Sequence, residues 1–187
     1  MMMSCNSTTR ASPVNPPIYL TFQAYLRRCV LSRVIDYHSL NLFFSTPARL
    51  KQALAHASSN GYILGVKLVR GAYHSQEIQQ HESNSINENT PPPVWSEKGE
   101  TDHCYNECAE SLLDQLVSPS DSNTSPRIGI LFGTHNRESC DIVMNGLVKR
   151  GLASEDTSKD SVLKVPHWVS GQVQLGQLLG NAFQNLS

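Results

Sequence analysis

The sequence lacks most of the features that would name a function quickly. It has no apolar run near the roughly 20 residues that cross a bilayer. It has no excess of one charge: 15 Lys plus Arg stand against 16 Asp plus Glu, which excludes a broad basic surface for nucleic acid or anionic lipid. It has no G-x-G-x-x-G or G-x-x-x-x-G-K-[ST] string, so the commonest glycine-rich phosphate-binding signatures are absent. It has no C-x-x-C pair. The five cysteines, at positions 5, 29, 104, 108 and 140, are odd in number and scattered, which argues against a disulfide framework. Cys104 and Cys108 are one helical turn apart, but no further ligands at metal-site spacing accompany them, and no metal is expected. Met1 to Pro17 is rich in Ser, Thr, Asn and Pro, with one arginine and no apolar stretch. Residues 1–17 are therefore expected to be a disordered N-terminal segment carrying neither a secretory signal nor a recognisable mitochondrial presequence.

What remains is ordinary for a globular domain: 187 residues, 39% hydrophobic and 17% charged, enough for one real core. Four β-rich runs bounded by turn signals stand out, Ile18–Leu26, Tyr62–Arg70, Arg127–Phe132 and His167–Leu175. Helical periodicity fills the spaces between them. Leu50, Ala53, Leu54 and Ala57 share a face within Pro47–Ser58, with Gly61 in the C-cap position. Thr101–Val117 carries a stripe of Cys108, Leu112, Leu113 and Leu116, with Thr101 as the expected N-cap. Asn136–Arg150 carries Ile142, Val143 and Leu147, with Asn136 as N-cap and Gly151 after it. The alternation predicts an α/β fold with parallel strands and helical crossovers, and periodicity alone does not choose between a doubly wound sheet and a barrel. Residues 81–93 and 118–126 read as surface loops.

In parallel α/β folds ligands bind where strands end and helices begin. The second run ends Lys67-Leu-Val-Arg70-Gly71-Ala72-Tyr73, and strand alternation puts Lys67, Val69, Gly71 and Tyr73 on one face. A lysine on such a face needs a charged partner or a ligand. Gly71 and Ala72 permit close approach to the backbone, and Tyr73 offers a flat wall. Two cations, a small-residue turn and an aromatic suit a flat anionic cofactor with phosphates. The third run leads into Gly133-Thr134-His135-Asn136 at a helix start, where free N–H groups favour anions. Capping by Thr134 and Asn136, with His135 packed, is an equally good reading of that turn. Gln23 shares a face with Tyr19 and Thr21; its amide would hold a heterocycle edge or be satisfied by backbone.

These residues carry a resemblance. Phe22-Gln-Ala-Tyr-Leu26, Gly65-Val-Lys-Leu-Val-Arg-Gly-Ala-Tyr73, Thr101-Asp102 with Tyr105-Asn106, Gly133-Thr-His-Asn136 and Gly176-Gln-Leu-Leu-Gly180 stand in the order seen in proline dehydrogenases, and the wording of Trp95–Asp102 is most similar to fungal members. The resemblance spans Pro17 to about Asn185. It implies a (β/α)8 TIM-type barrel of which this chain holds about strands four to seven, so that residues 18–187 form a partial barrel domain. It implies FAD, with Gln23, Lys67, Val69, Arg70, Gly71, Ala72 and Tyr73 at the flavin and Thr134, His135 and Asn136 at the rest of the cofactor. Tyr73 and Leu178 would wall the substrate pocket. The implied reaction oxidises L-proline to Δ1-pyrroline-5-carboxylate by hydride transfer to flavin, with electrons passed to quinone. The implied place is the matrix side of the mitochondrial inner membrane, with peripheral membrane association of the full-length protein and no nucleic acid partner.

The sequence departs from the family in three respects. No position matches the family's catalytic lysine and aspartate, and the carboxylate-clamping R-R-A-x-E-N pattern is absent; Arg27-Arg28 follows the wrong strand. No catalytic residue is therefore assigned, and a truncated, non-catalytic fragment is the alternative reading. Residues 29–45 interrupt a junction that is short in the family, and an insertion or retained intron is expected there. His74 stands where a larger apolar residue is common.

Overall fold

In a computed structural model the described residues are 17–27, 45–71, 73–84, 91–117, 128–155 and 162–177. The expected disordered segment 1–17 lies outside them except for Pro17, as do 118–126 and all of 29–45 but Ser45.

Strands β1 (Ile18–Gln23), β2 (Leu64–Val69), β3 (Ile128–Gly133) and β6 (Val173–Gly176) form one four-stranded sheet in the order β1-β2-β3-β6. Every pairing is parallel. The parallel α/β expectation is met. Strand order follows chain order, and the helices α1 (Thr46–Asn60), α3 (Lys98–Val117) and α4 (Arg137–Lys149) share one continuous core with one face of the sheet. Phe22, Leu64, Val66, Leu68, Ile128, Ile130 and Phe132 supply that face. They alternate along each strand with residues of the opposite face, as period-two geometry requires. Tyr105, Cys108, Leu112 and Leu113 of α3 meet them, all fully buried.

Local chemistry explains the helix limits. Pro47 opens α1, and Gly61, left-handed at φ 66°, closes it with its N–H on the Ala57 and Ser58 carbonyls. Asn136 caps α4 by accepting from the Ser139 N–H at 3.3 Å. Helix α3 starts three residues before the expected Thr101 cap. Glu100 reaches back to accept the Glu97 N–H at 3.2 Å, half of a capping box, and extends the helix to Lys98.

Two other expectations are corrected. The surface loop expected at 81–93 begins as helix: α2 spans His74–Asn84, and its sequence HSQEIQQHESN has no apolar stripe that periodicity could detect. The same loop's end is also ordered, because Val94 bridges Leu26, the Arg27 N–H donates to the Pro93 carbonyl and the Trp95 N–H to Tyr25. The strand expected over His167–Leu175 is broken. Its first half is the helical turn α5 (His167–Ser170), which buries Val169 completely, and only Val173–Gly176 joins the sheet. A small antiparallel pair, β4 (Ser154–Glu155) and β5 (Leu163–Lys164), lies between α4 and α5.

Candidate cofactor site at the strand ends

The face of the sheet opposite the helices has no cover among the described residues. Register lays its side chains out in rows. Thr21, Lys67, Leu131 and Gln174 are Cα partners across the four strands, and the next row toward the C-terminal ends is Gln23, Val69, Gly133 and Gly176. Two of the four positions in that last row are glycines. A Cβ on Gly133 would come within 2.9 Å of Val69 Cγ1, and one on Gly176 within 3.2 Å of Leu131 Cδ1. Val69 and Leu131 thus spread over the glycines and make a flat apolar floor. The half-buried Gln23 lies at one side of it, and the exposed Lys67 one row below. Among the described residues Lys67 makes no ion pair, so its charge is available to a ligand. The floor, the amide and the free cation fit a planar, electron-accepting ring.

Beyond β2 the chain turns sharply. Gly71 has φ 128°, a conformation L side chains rarely adopt, and a Cβ there would run into the Tyr25 ring. Tyr25 also meets His74 edge-on at 6.0 Å between ring centroids. Tyr73, predicted as a pocket wall, is 56% exposed at this end of the sheet. Ala72 and Leu178 lie outside the described residues.

Arg70 has a different setting. Its Nε donates to Asp102 Oδ1 at 2.7 Å, one terminal nitrogen to Thr134 Oγ1, and the other to Ser139 Oγ at 2.6 Å. Its guanidinium carbon sits 4.4 Å from the centroid of the Tyr105 ring. Each of its three nitrogens therefore already holds a protein partner. Ser139 Oγ donates in turn to Asn106 Oδ1 at 2.7 Å, and the Asn136 amide donates to Asp102 Oδ2 at 3.4 Å. Thr134 Oγ1 accepts the Asn136 N–H at 3.0 Å, and the Thr134 N–H donates to the Gly176 carbonyl at 3.1 Å. The whole Thr134–Asn136 turn is held by this cluster, with His135 exposed at its tip. Burial works against the Asp102 carboxylate, but hydrogen bonds and charge from Lys98 and Arg70 outweigh it and hold the carboxyl below the usual range. Burial pushes the Tyr105 phenol up despite the neighbouring Arg70 charge.

Of the residues expected at the cofactor, Gln23 and Val69 share one row at the strand ends with Lys67 a row below, Gly71, Tyr73 and the Thr134–Asn136 turn follow those strands, Arg70 is bound to Asp102, Thr134 and Ser139, and Ala72 lies outside the described residues. Sequence reasoning assigned no role to Asp102, Tyr105, Asn106 or Ser139. The signal was present as spacing: positions 102, 105 and 106 share one face of a helix.

A family model for proline dehydrogenase matches residues 44–165. The chain belongs to the proline dehydrogenase family. Among curated relatives, the mitochondrial proline dehydrogenase 1 of Arabidopsis thaliana is 30% identical over 124 residues, covering 66% of this chain and 19% of that protein. The hydroxyproline dehydrogenase of Rattus norvegicus is 28% identical over 165 residues, covering 88% of this chain and 27% of that protein. The chain thus spans between about a fifth and just over a quarter of the length of the relatives it matches. Among solved structures, proline utilization A from Bdellovibrio bacteriovorus superposes with a TM-score of 0.57 at 22% identity, over 86% of this chain and 12% of that one. That likeness shows a shared α/β fold with a parallel sheet over the matched part.

Proposed function

We propose that this chain supplies the flavin-holding wall of an FAD-dependent (β/α)8 barrel enzyme that oxidises L-proline to Δ1-pyrroline-5-carboxylate and passes the electrons to quinone. The observation that carries this reading is the uncovered row Gln23–Val69–Gly133–Gly176 with Lys67 beside it. Strands in chain order with the helices of the core on a single face suit a wall of a closed barrel rather than a doubly wound sheet, whose helices lie on both faces. On this reading residues 18–187 are strands four to seven of the barrel.

The bound flavin would supply a two-electron acceptor. Val69 and the two glycines would support its ring, and the Gln23 amide would meet a polar edge with a donor and an acceptor. Lys67, without an ion pair among the described residues, would offset negative charge gathered on the reduced ring. Tyr73 and Leu178 would wall the substrate pocket, while Gly71 lets the Tyr25 ring pack against the turn that leaves β2. Residues 29–45 read as an insertion between β1 and α1. In support, its flanks meet: Thr46 Oγ1 donates to the Gln23 and Leu26 carbonyls at 2.9 and 3.0 Å. Mitochondrial location follows the Arabidopsis relatives' names.

Purified protein tests the reading. A bound flavin spectrum and dye reduction driven by proline are expected, with hydroxyproline run in parallel because the rat relative is named for it. Flavin binding without proline-driven reduction would favour a second reading, a cofactor-holding fragment that does no chemistry alone. That reading draws on the uncovered face itself, where among the described residues Lys67 is the one charged side chain in the sheet rows. Absence of any flavin binding would sink both.

A further inference from the structure

The cation expected at the cofactor is two cations in the sequence, Lys67 and Arg70, and the structure gives them opposite circumstances. Lys67 is exposed and unpaired among the described residues, while Arg70 is bound on every nitrogen. We propose that Asp102 is a positioning residue that acts through Arg70 to fix the Thr134–Asn136 turn for the adenosine-monophosphate half of the cofactor. The proposal rests on the flavin reading above.

Four elements converge on the Arg70 guanidinium: the end of β2, the first turns of α3, the turn after β3 and the start of α4. Asp102 orients it from α3 and cancels its charge at 2.7 Å. So held, it donates to Thr134 on the turn and to Ser139 in the first turn of α4. Asp102 also takes the Asn136 amide directly, so one carboxylate touches both the guanidinium and the cap of α4. Without the carboxylate the guanidinium has no reason to stay between Thr134 and Ser139, because a free cation gains more from water. The turn would then lose both side-chain ties to β2 and α3. Lys98, the other partner of Asp102, is 79% exposed and cannot replace Arg70 at the turn. A division of labour follows. Lys67 meets the ring, and the Asp102–Arg70 pair shapes the turn that meets the far half of the dinucleotide.

FAD and FMN separate these roles, since FMN carries the ring and lacks the adenosine half. The full chain and its variants are titrated with each flavin by fluorescence quenching, and amide exchange is followed at residues 134–139 without cofactor. Asp102→Asn is expected to weaken FAD binding about tenfold, the loss of one charge-assisted hydrogen bond, with FMN affinity unchanged and faster exchange confined to the turn. Asp102→Glu is expected to restore part of the FAD affinity. Lys67→Met should weaken FAD and FMN alike. Equal loss of both flavins in Asp102→Asn, or no change in either, overturns the proposal while leaving the flavin reading intact; failure of the unsubstituted chain to bind either flavin overturns both. If Asp102→Asn does not fold, Ser139→Ala, which removes the ties from α4 to Arg70 and to Asn106 and leaves the Asp102–Arg70 pair in place, carries the same FAD-selective expectation, and an unselective result there overturns the proposal equally.

Discussion

Replacing Arg70 with methionine keeps most of the apolar stem against Tyr105 and removes the guanidinium. Four contacts go with it: the ion pair to Asp102, the hydrogen bonds to Thr134 and Ser139, and the stacking on the Tyr105 ring. Losing one partner of a fully buried pair costs about 3–5 kcal/mol, and a surface pair is worth about 0–1 kcal/mol. The side chains here are 21% and 19% exposed, and Asp102 retains Lys98, so the cost falls between, at about 2 kcal/mol. With a urea slope of about 2 kcal/mol per molar, the unfolding midpoint should fall by about 1 M, read from the fluorescence of Trp95 and Trp168. The effect should also depend on pH. Asp102 has a folded pKa depressed below its unfolded value of 3.8, so its stabilisation is present above that value and is lost as pH falls through the lower folded one. The gap between the parent protein and Arg70→Met should therefore be full at neutral pH and shrink below about pH 3.8. An unchanged midpoint at neutral pH, or a gap that persists undiminished in strong acid, would refute the ionic account of this cluster.

Three further outcomes follow from the same geometry. Gly71→Ala should lose at least about 2 kcal/mol of stability in thermal unfolding, because φ 128° strains any side chain and the Tyr25 ring occupies the space; a neutral substitution would contradict that backbone. Asn136→Ala should cost about 1 kcal/mol through loss of the α4 cap, and a cost near zero would mean the Ser139 N–H finds another partner. Lys67→Met should leave the unfolding free energy from urea titration within about 0.5 kcal/mol of the parent, since the side chain is exposed and unpaired among the described residues; a large loss would reveal a structural partner for it.

Three of the four strand runs and the caps at Gly61 and Asn136 were legible because their causes are local. Gly61 and Asn136 end and begin their helices through groups within four residues, and the periods of Leu64–Val69 and Ile128–Gly133 report one buried face directly. The misreadings share the opposite character. Helix α2 carries no apolar stripe, so nothing in its own pattern marked it against the loop expected there. The run His167–Leu175 has strand-like composition throughout, yet Pro166 and Gly171 bound a helical turn whose purpose is to bury Val169 in a core made elsewhere.

By itself the sequence determined the family, through five motifs in order, and the set of side chains available for a cofactor, because residue types and their spacing are its own content. Only the tertiary structure decided how those side chains divide. Lys67 and Arg70 are three positions apart at one strand end, and strand alternation sends them to opposite faces without saying which of them meets a protein partner. Their fates differ because Asp102, Thr134 and Ser139, which lie 32, 64 and 69 positions further along the chain than Arg70, close around its guanidinium, while among the described residues the Lys67 ammonium has no ion-pair partner. The pairing of charges over such separations is set by which helix packs on which strand, and that is a property of the folded sheet.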